Sequence, residues 1–518
     1  MMILRLLTLL FVVAFGSQSL ASELTVLIYH DVVSDPGDDA YAVSRSAFVA
    51  HMDYLESNGY RPVTLGFLDK VSQGKAVLPN KAILLTIDDG LKSYRDFVAP
   101  VLKIYGYPSV LSVVSGWTDG NNKPPEYHDK LLSWNEIKEL NQSPLIEIIS
   151  HTHDLHTGVQ SNPQGNNAPA SVTRIYSPVT KRYETETVYR QRIVSDLKNT
   201  VMRFKQELGT TPLGITWPYG RYNDLLTREA QLLGIKFQLT LNDGPNSVEN
   251  FPVLNRIMVM RDTTVDDFVA DLNYEPLRNR SYHFIELDLE KFNGQPPPER
   301  EKLLSTMLDN IEQLDVNTVI LSPFTKDGKA TFFPNDQMTV AADILNRVTH
   351  QLHNKIGVNH IYLRLPENFN VRNADAFYND MARLVWFNGV VFDDQSQQHI
   401  DTIRKIVKYH HPRARFGHYG KTDNLAAYDF VIVPVTASRS QDKLRKQILE
   451  AKGLPTTLFV RLEFNDDDAG MVPQVMETIR ALGIKHYGIA LNNNFYGFGN
   501  NTGIAEEMAK GTLAVFGG

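Results

Sequence analysis

The chain has 518 residues, with 52 Lys and Arg against 59 Asp and Glu for a formal net charge of −7, and it contains no cysteine. That length calls for two large domains, and charges interleaved without a Lys/Arg stripe give no electrostatic footprint for nucleic acid. The missing thiol excludes disulfides, thiolate metal sites, cysteine nucleophiles and a lipobox cysteine, so any metal must be held by imidazole and carboxylate.

Residues 1–21 differ from everything after them. Arg5 lies in a short basic start, Leu6 to Phe15 is an apolar run, and Ser19-Leu20-Ala21 offers a small-x-small cleavage site before Ser22. This is the layout of a secretory signal peptide, and the run is too short to span a bilayer comfortably. The mature chain is therefore expected to be exported and periplasmic, without a transmembrane helix.

From Leu24 short apolar runs alternate with amphipathic stretches, the rhythm of β/α architecture. Strands are expected at Leu24–Tyr29, Ala82–Ile87, Val110–Val114, Ile146–Ile149, Gly214–Trp217, Phe237–Leu241 and Arg256–Met260, and helices at Ala47–Ser57, Ser93–Tyr105 and Val188–Leu208. Two polar or Pro-rich segments, Gln160–Arg182 and Asn293–Pro298, are expected to form flexible rims. The pattern pauses near Asn273–Ser281, a linker between a domain over 22–275 and another over 282–518. The second half shows strand-like runs at His283–Leu287, Thr318–Leu321, Ile361–Leu365, Gly389–Phe392, Ala414–Gly417, Phe430–Val433, Thr457–Val460 and Tyr487–Leu491. That number of β/α units in about 240 residues suits a closed (β/α)8 barrel. The fold class is α/β, with two β/α barrels in tandem.

Chemistry concentrates in the first half. Thr86-Ile87-Asp88-Asp89-Gly90 ends an apolar run, and β/α proteins place chemistry at the C-terminal ends of strands. Adjacent carboxylates cannot point the same way in a strand, so one is expected to serve a metal and the other a water; alone, Asp-Asp-Gly also suits a turn. Ser150-His151-Thr152-His153-Asp154-Leu155-His156 follows the run Ile146–Ile149 directly. Two imidazoles plus a carboxylate leave an open position for water on a Zn²⁺-like ion. His153 competes as a ligand, bonds locally or faces substrate.

The Asp-Asp-Gly segment and the histidine cluster resemble the first two motifs of the NodB-type deacetylases of carbohydrate esterase family 4. The five-residue spacing of His151 and His156 resembles the poly-β-1,6-N-acetyl-D-glucosamine N-deacetylases of the PgaB/HmsF type. The resemblance implies Asp88 as general base, with Asp89, His151 and His156 holding one divalent ion (Zn, Co, Ni or Fe). Tyr29-His30-Asp31 is similar to the relocated acid motif of that subgroup, which implies His30 as the group protonating the leaving amine. Trp217-Pro218-Tyr219-Gly220 resembles the third motif, implying that Trp217, Pro218 and Tyr219 line the site and that the Tyr219 N–H holds the oxyanion. The broader family has Arg where Thr216 stands, which leaves Arg221 as the candidate for tuning Asp88.

The likeness continues in the second half, through Phe332-Phe333-Pro334-Asn335 and Phe387-Asn388-Gly389-Val390-Val391-Phe392-Asp393-Asp394. It implies a glycoside-hydrolase-like barrel that binds deacetylated polymer and, in several members, hydrolyses it. The candidate acids are Asp288, Asp393, Asp394 and Glu463, with Gln395 where the family tends to carry a further Asp. Glycoside hydrolysis needs two carboxylates. Trp386, Tyr419, Phe495, Tyr496 and Phe498 are aromatic candidates for sugar stacking. The implied partners are poly-N-acetylglucosamine and an outer-membrane export porin. The rival readings are a chitooligosaccharide or peptidoglycan deacetylase and a non-enzymatic polysaccharide-binding export protein.

Overall fold

The computed structural model describes residues 23–490, apart from residues 243, 275–280, 313, 315, 367–370, 372, 394–396, 421–423, 425–426, 437, 439, 453–456 and 464–470. The expected signal peptide lies outside the described residues.

The first half builds a 9-stranded, wholly parallel sheet. Its principal strands are β1 (Leu24–Tyr29), β2 (Ala82–Ile87), β3 (Ser109–Val113), β4 (Ile146–Ser150), β5 (Gly214–Thr216), β6 (Phe237–Leu239), β7 (Val253–Leu254) and β8 (Ile257–Met258). They run in the order β7-β6-β5-β4-β3-β2-β1-β8, with the short strand Arg61–Pro62 added beside β2. Every residue of β2 is buried, as expected of a parallel strand covered on both faces.

The two end strands, β7 and β8, are successive parts of one extended segment. Leu254 pairs with Leu239, and only three residues later Ile257 pairs with Leu27. Three residues of chain reach about 10 Å at most, so the edges of the sheet must curl together there. The result is a cylinder joined at one short segment, with Asn255 and Arg256 at the seam.

Helices cover the cylinder. Glu186–Leu208 starts at Thr185, whose side chain accepts from Val188 N, and ends at Gly209 in the left-handed region. Its inner stripe buries Tyr189, Ile193, Asp196, Leu197, Thr200, Val201 and Phe204, an i, i+3, i+4 pattern interrupted by one carboxylate. Among the described residues no helix is long and apolar enough to cross a membrane.

The second half forms a closed, parallel eight-stranded barrel. Its strands are β9 (Tyr282–Leu287), β10 (Thr318–Leu321), β11 (His360–Leu365), β12 (Gly389–Phe392), β13 (Arg415–Tyr419), β14 (Phe430–Thr436), β15 (Thr457–Glu463) and β16 (His486–Ala490), and β16 returns to pair with β9. The lumen is packed with Tyr282, Phe284, Ile320, Tyr362, Val391, Phe430, Ile432 and Phe459. It is a core and not a pore.

Two expectations about loops need correction. Gln160–Arg182 is no flexible rim. It contains the pairings Gly158–Gln160 with Asn167–Pro169 and Tyr176–Ser177 with Arg182–Tyr183, and it buries Asn162, Ser171 and Arg174. Its polar side chains satisfy one another and the second barrel instead of facing water. Pro297, expected in a loop, opens the helix Pro297–Glu312, a first-turn position that proline tolerates.

Candidate metal and catalytic centre

Asp88 and Asp89 follow β2, and the backbone turns sharply between them. Asp88 N–H still donates to Tyr29 O at 3.0 Å, continuing the ladder, whereas Asp89 takes φ 73°. A non-glycine residue in the left-handed region is uncommon; here it sends the two neighbouring carboxylates in different directions. Gly90, also at φ 73°, continues the turn, and a Cβ there would press on Val113 Cγ1 at 3.2 Å.

His151 extends β4, its N–H donating to Val113 O at 2.7 Å. Its Nδ1 lies 2.9 Å from Thr216 O, and a carbonyl can only accept, so Nδ1 carries the proton and Nε2 keeps its lone pair. That Nε2 stands 3.5 Å from Asp89 Oδ1, and His156 Nε2 stands 3.5 Å from the same oxygen. Asp89 Oδ1 is buried without a hydrogen-bond partner. One donor atom from each of Asp89, His151 and His156 lies within 4.8 Å of the others.

Donors about 2.1 Å from a tetrahedral ion stand about 3.4 Å apart. The measured separations and the orphaned oxygen therefore fit a small divalent cation. Burial pushes both imidazoles down to about 4, which keeps them neutral and able to ligate. Burial pushes Asp89 the opposite way, above the usual carboxylate range, a cost that a bound cation would offset.

Asp88 has a different environment. Burial disfavours its charge, but the Arg256 guanidinium, His151 and His30 hold it below the ordinary carboxylate range. Arg256 Nη1 lies 3.0 Å from Oδ1 and 2.9 Å from Oδ2. The arginine is itself fixed, because Nε donates to Thr240 O at 2.9 Å and its backbone N–H to Asn242 O at 2.7 Å. Asp88 is thus kept ionised next to the three-donor cluster, with His151 Nε2 at 3.8 Å.

This overturns the expectation for Arg221. Its guanidinium lies 4.6 Å over the Trp386 ring, away from Asp88. Arg256, read from sequence only as the start of a strand, supplies the charge. The available signal was a cation at the head of an otherwise apolar run.

His30 follows β1 and is partly buried, its ring centroid 5.3 Å from that of Tyr41. It is near enough to Asp88, Asp89 and His156 to act on their ionisation, so it shares the site. Tyr219, at φ 56°, sets its half-exposed ring 4.7 Å from that of His156. Trp217 does not line the site with its side chain: it is fully buried and donates Nε1–H to Gln238 Oε1 at 3.0 Å. Pro218 is buried as well. Tyr127, missed from sequence, donates its hydroxyl to Asp89 Oδ2 at 3.3 Å.

His153 falls outside the cluster. Its Nδ1 lies 2.9 Å from Ser115 Oγ. The N–H groups of His153 and Asp154 both donate to the Asp196 carboxylate, at 3.1 and 2.6 Å. Asp196 therefore clamps the ligand loop from the helix behind it. The interrupted apolar stripe of Glu186–Leu208 was the sequence signal for this role.

The second barrel's candidate acids are engaged. Asp288 accepts from Glu290 N–H at 3.0 Å and lies 3.4 Å from Lys326 Nζ. Asp393 accepts from Arg364 Nε at 3.0 Å, and exposed Glu463 pairs with Arg461. Glu286, missed from sequence, is buried on β9 with Arg461 Nε at 2.9 Å and Arg364 Nη1 at 3.5 Å. Arg364 also covers the Tyr419 ring at 3.8 Å. Trp386 is not at this mouth but beneath Arg221. Asp394, Gln395, Phe495, Tyr496 and Phe498 lie outside the described residues.

Residues 75–238 match the family model described as polysaccharide deacetylase, and residues 286–377 match the model described as hypothetical glycosyl hydrolase family 13. A poly-beta-1,6-N-acetyl-D-glucosamine N-deacetylase of Escherichia coli (strain K12) is 28% identical over 351 residues, covering 65% of this chain and 52% of the relative. The chain thus spans about half the length of the curated relatives it matches first. A de-N-acetylase structure from Aggregatibacter actinomycetemcomitans is 31% identical, covering 48% of this chain and 100% of that one, with a TM-score of 0.45. The BpsB deacetylase domain from Bordetella bronchiseptica is 33% identical over 46% of this chain and 96% of that one, with a TM-score of 0.42.

Proposed function

Residues 75–238 of this chain belong to the polysaccharide deacetylase family, and from that premise we propose that the chain removes N-acetyl groups from poly-β-1,6-N-acetyl-D-glucosamine in a metal-dependent reaction. The observation that carries the reading is a buried carboxylate, Asp88, held by Arg256 at 2.9 Å beside the Asp89, His151 and His156 cluster. A cluster without an adjacent base would bind a cation but would not hydrolyse an amide.

A divalent ion held by Asp89, His151 and His156 supplies Lewis acidity toward the acetyl carbonyl and its attacking water. Asp88, kept ionised by Arg256, takes the proton from that water. His30, partly exposed at the C-terminal end of the neighbouring strand β1, delivers a proton to the departing nitrogen. The Tyr219 backbone N–H, aimed by its left-handed conformation, donates to the oxygen on which negative charge develops. Acetate leaves, and the polymer gains an ammonium group.

The setting is proposed to be the periplasm, after signal-peptide removal at Ala21, during processing and export of a biofilm exopolysaccharide through an outer-membrane porin. The second barrel, over 282–518, is proposed to bind the deacetylated polymer. Its arginine-paired carboxylates support binding more than hydrolysis, which needs a free acid and base.

The test is acetate release from β-1,6-linked and β-1,4-linked N-acetylglucosamine oligomers, with a chelator control and with Asp88→Asn. Release from neither substrate sinks the enzyme reading. Release from β-1,4 oligomers alone sinks the substrate. Chain shortening of partly deacetylated polymer, in a variant lacking deacetylase activity, would show the second barrel to be a hydrolase.

A further inference from the structure

Both loops that frame the His156–Tyr219 contact run straight into the second barrel. After His156, the hairpin of Gly158–Gln160 and Asn167–Pro169 sits on the barrel helix Leu345–Ile356. Arg347 Nη1 donates to Asn166 Oδ1 at 2.9 Å, Asn346 Nδ2 to Ser161 O at 3.2 Å, and His350 Nε2 lies 2.7 Å from Asn167 O. Gln164 and Tyr183 reach the same barrel at Asp343, at 2.8 and 3.0 Å.

The second loop meets the second barrel through the Arg221 side chain. Tyr219 occupies the left-handed region, which a bulky residue keeps only when its flanks impose it. On one flank Trp217 is locked in the core by Gln238 and by its own N–H to Leu239 O at 3.0 Å. On the other flank stands Arg221, whose guanidinium rests 4.6 Å over Trp386, with His353 packed on the same indole at 4.4 Å. The backbone there is also tied, Ser171 Oγ donating to Arg221 O at 3.0 Å. Among the described residues no ion pair is formed by Arg221, so the Trp386 face is its principal electrostatic partner. Such a contact strengthens as it is desolvated.

We propose that Trp386 of the second barrel is a positioning residue for deacetylation, acting through Arg221 to hold Tyr219 against His156. The kinetic part of this inference rests on the deacetylase reading above; the structural part does not.

The experiment compares the full chain with Trp386→Ala and Trp386→Phe, reading amide hydrogen exchange over residues 216–222 and, separately, kcat and KM for acetate release from N-acetylglucosamine oligomers. Trp386→Ala is expected to speed exchange over 216–222 by about tenfold or more. It is also expected to lower kcat about tenfold with KM within about twofold, because misplacing a group by a fraction of an ångström reaches the chemical step first. Trp386→Phe, which keeps an aromatic face under the guanidinium, is expected to restore both. Unchanged exchange in Trp386→Ala overturns the proposal, and so does an unchanged kcat or a loss that Phe does not rescue. If the wild type itself releases no acetate, the deacetylase reading fails and the exchange result alone decides the positioning role. Should Trp386→Ala not fold, Arg221→Met, which keeps the aliphatic stem and removes the charge, carries the same expectations.

Discussion

Arg256 grips Asp88 across the short junction of the first cylinder, with Nη1 2.9 Å from Oδ2 and both side chains buried. The partner of the proposed base thus comes from the segment that joins the two edges of the sheet. Replacing Arg256 with Met leaves a buried carboxylate unpaired, a change that costs about 3–5 kcal/mol. Urea unfolding of Arg256→Met should show that loss, and acetate release should fall at least about a hundredfold. Arg256→Lys should lose less stability but still much activity, because one ammonium cannot reach Thr240 O and both Asp88 oxygens together. Wild-type turnover in Arg256→Met would remove Arg256 from the mechanism.

Asp196 accepts two backbone N–H bonds from the ligand loop, and burial raises its carboxyl to about 6. Asn at this position offers one acceptor and turns an NH2 toward the other N–H. Asp196→Asn is expected to weaken Zn²⁺ binding about 10–100-fold, the usual effect of losing support behind a ligand. Competition with a chromogenic chelator measures it directly, and unchanged affinity would refute the clamp.

Gly116 lies against the same loop, its N–H donating to His153 O at 3.0 Å. A Cβ there would overlap both His153 O and Asp154 Oδ1. Because one of those atoms is backbone, the loop must shift. Gly116→Ala should cost about 1–3 kcal/mol as overpacking and weaken metal binding alongside. Thermal melts with and without added Zn²⁺ separate the two effects, and a variant that matches the wild type in both contradicts this packing.

Asp343 joins the two barrels by accepting from Tyr183 OH at 3.0 Å, and burial raises its carboxyl to about 6. A folded value above the unfolded one means the native state binds the proton more tightly. Its contribution is full below about pH 4 and is lost as pH rises through about 6. On going from pH 8 to pH 5 the wild type should gain about 1–2 kcal/mol relative to Asp343→Asn. Asn keeps the acceptor for Tyr183 but does not titrate. Parallel unfolding curves for the two proteins at both pH values would rule out the linkage.

Much of the architecture was legible in the chain. The run Ala82–Ile87 coincides with a fully buried strand, and all eight second-half runs overlap strands of the closed barrel. The grouping of Asp89, His151 and His156 was legible too, because each follows the end of an apolar run. The supporting residues were harder to read. Asp196 betrayed itself only as a charge on an apolar stripe, and Glu286 was hidden inside β9, where one carboxylate among apolar neighbours reads as the solvent face of a strand. Gln160–Arg182 looked like a mobile loop because its polarity is met by the second barrel, and composition does not show what a segment faces.

What the sequence by itself determined is whatever depends on neighbours along the chain: strand and helix periodicity, the ends at which functional side chains emerge, and the ligand types a cysteine-free protein can offer. What only the tertiary structure decided is which groups meet through space. Asp88 and Arg256 are 168 positions apart, and their contact exists because the sheet curls until Val253–Met258 can pair with strands on both sides. His151 finds the Thr216 carbonyl, His153 turns to Ser115, and Arg221 leaves Asp88 for Trp386 for the same reason. Local pattern sets direction along a strand, whereas closure of the cylinder and docking of the second barrel set distance across it.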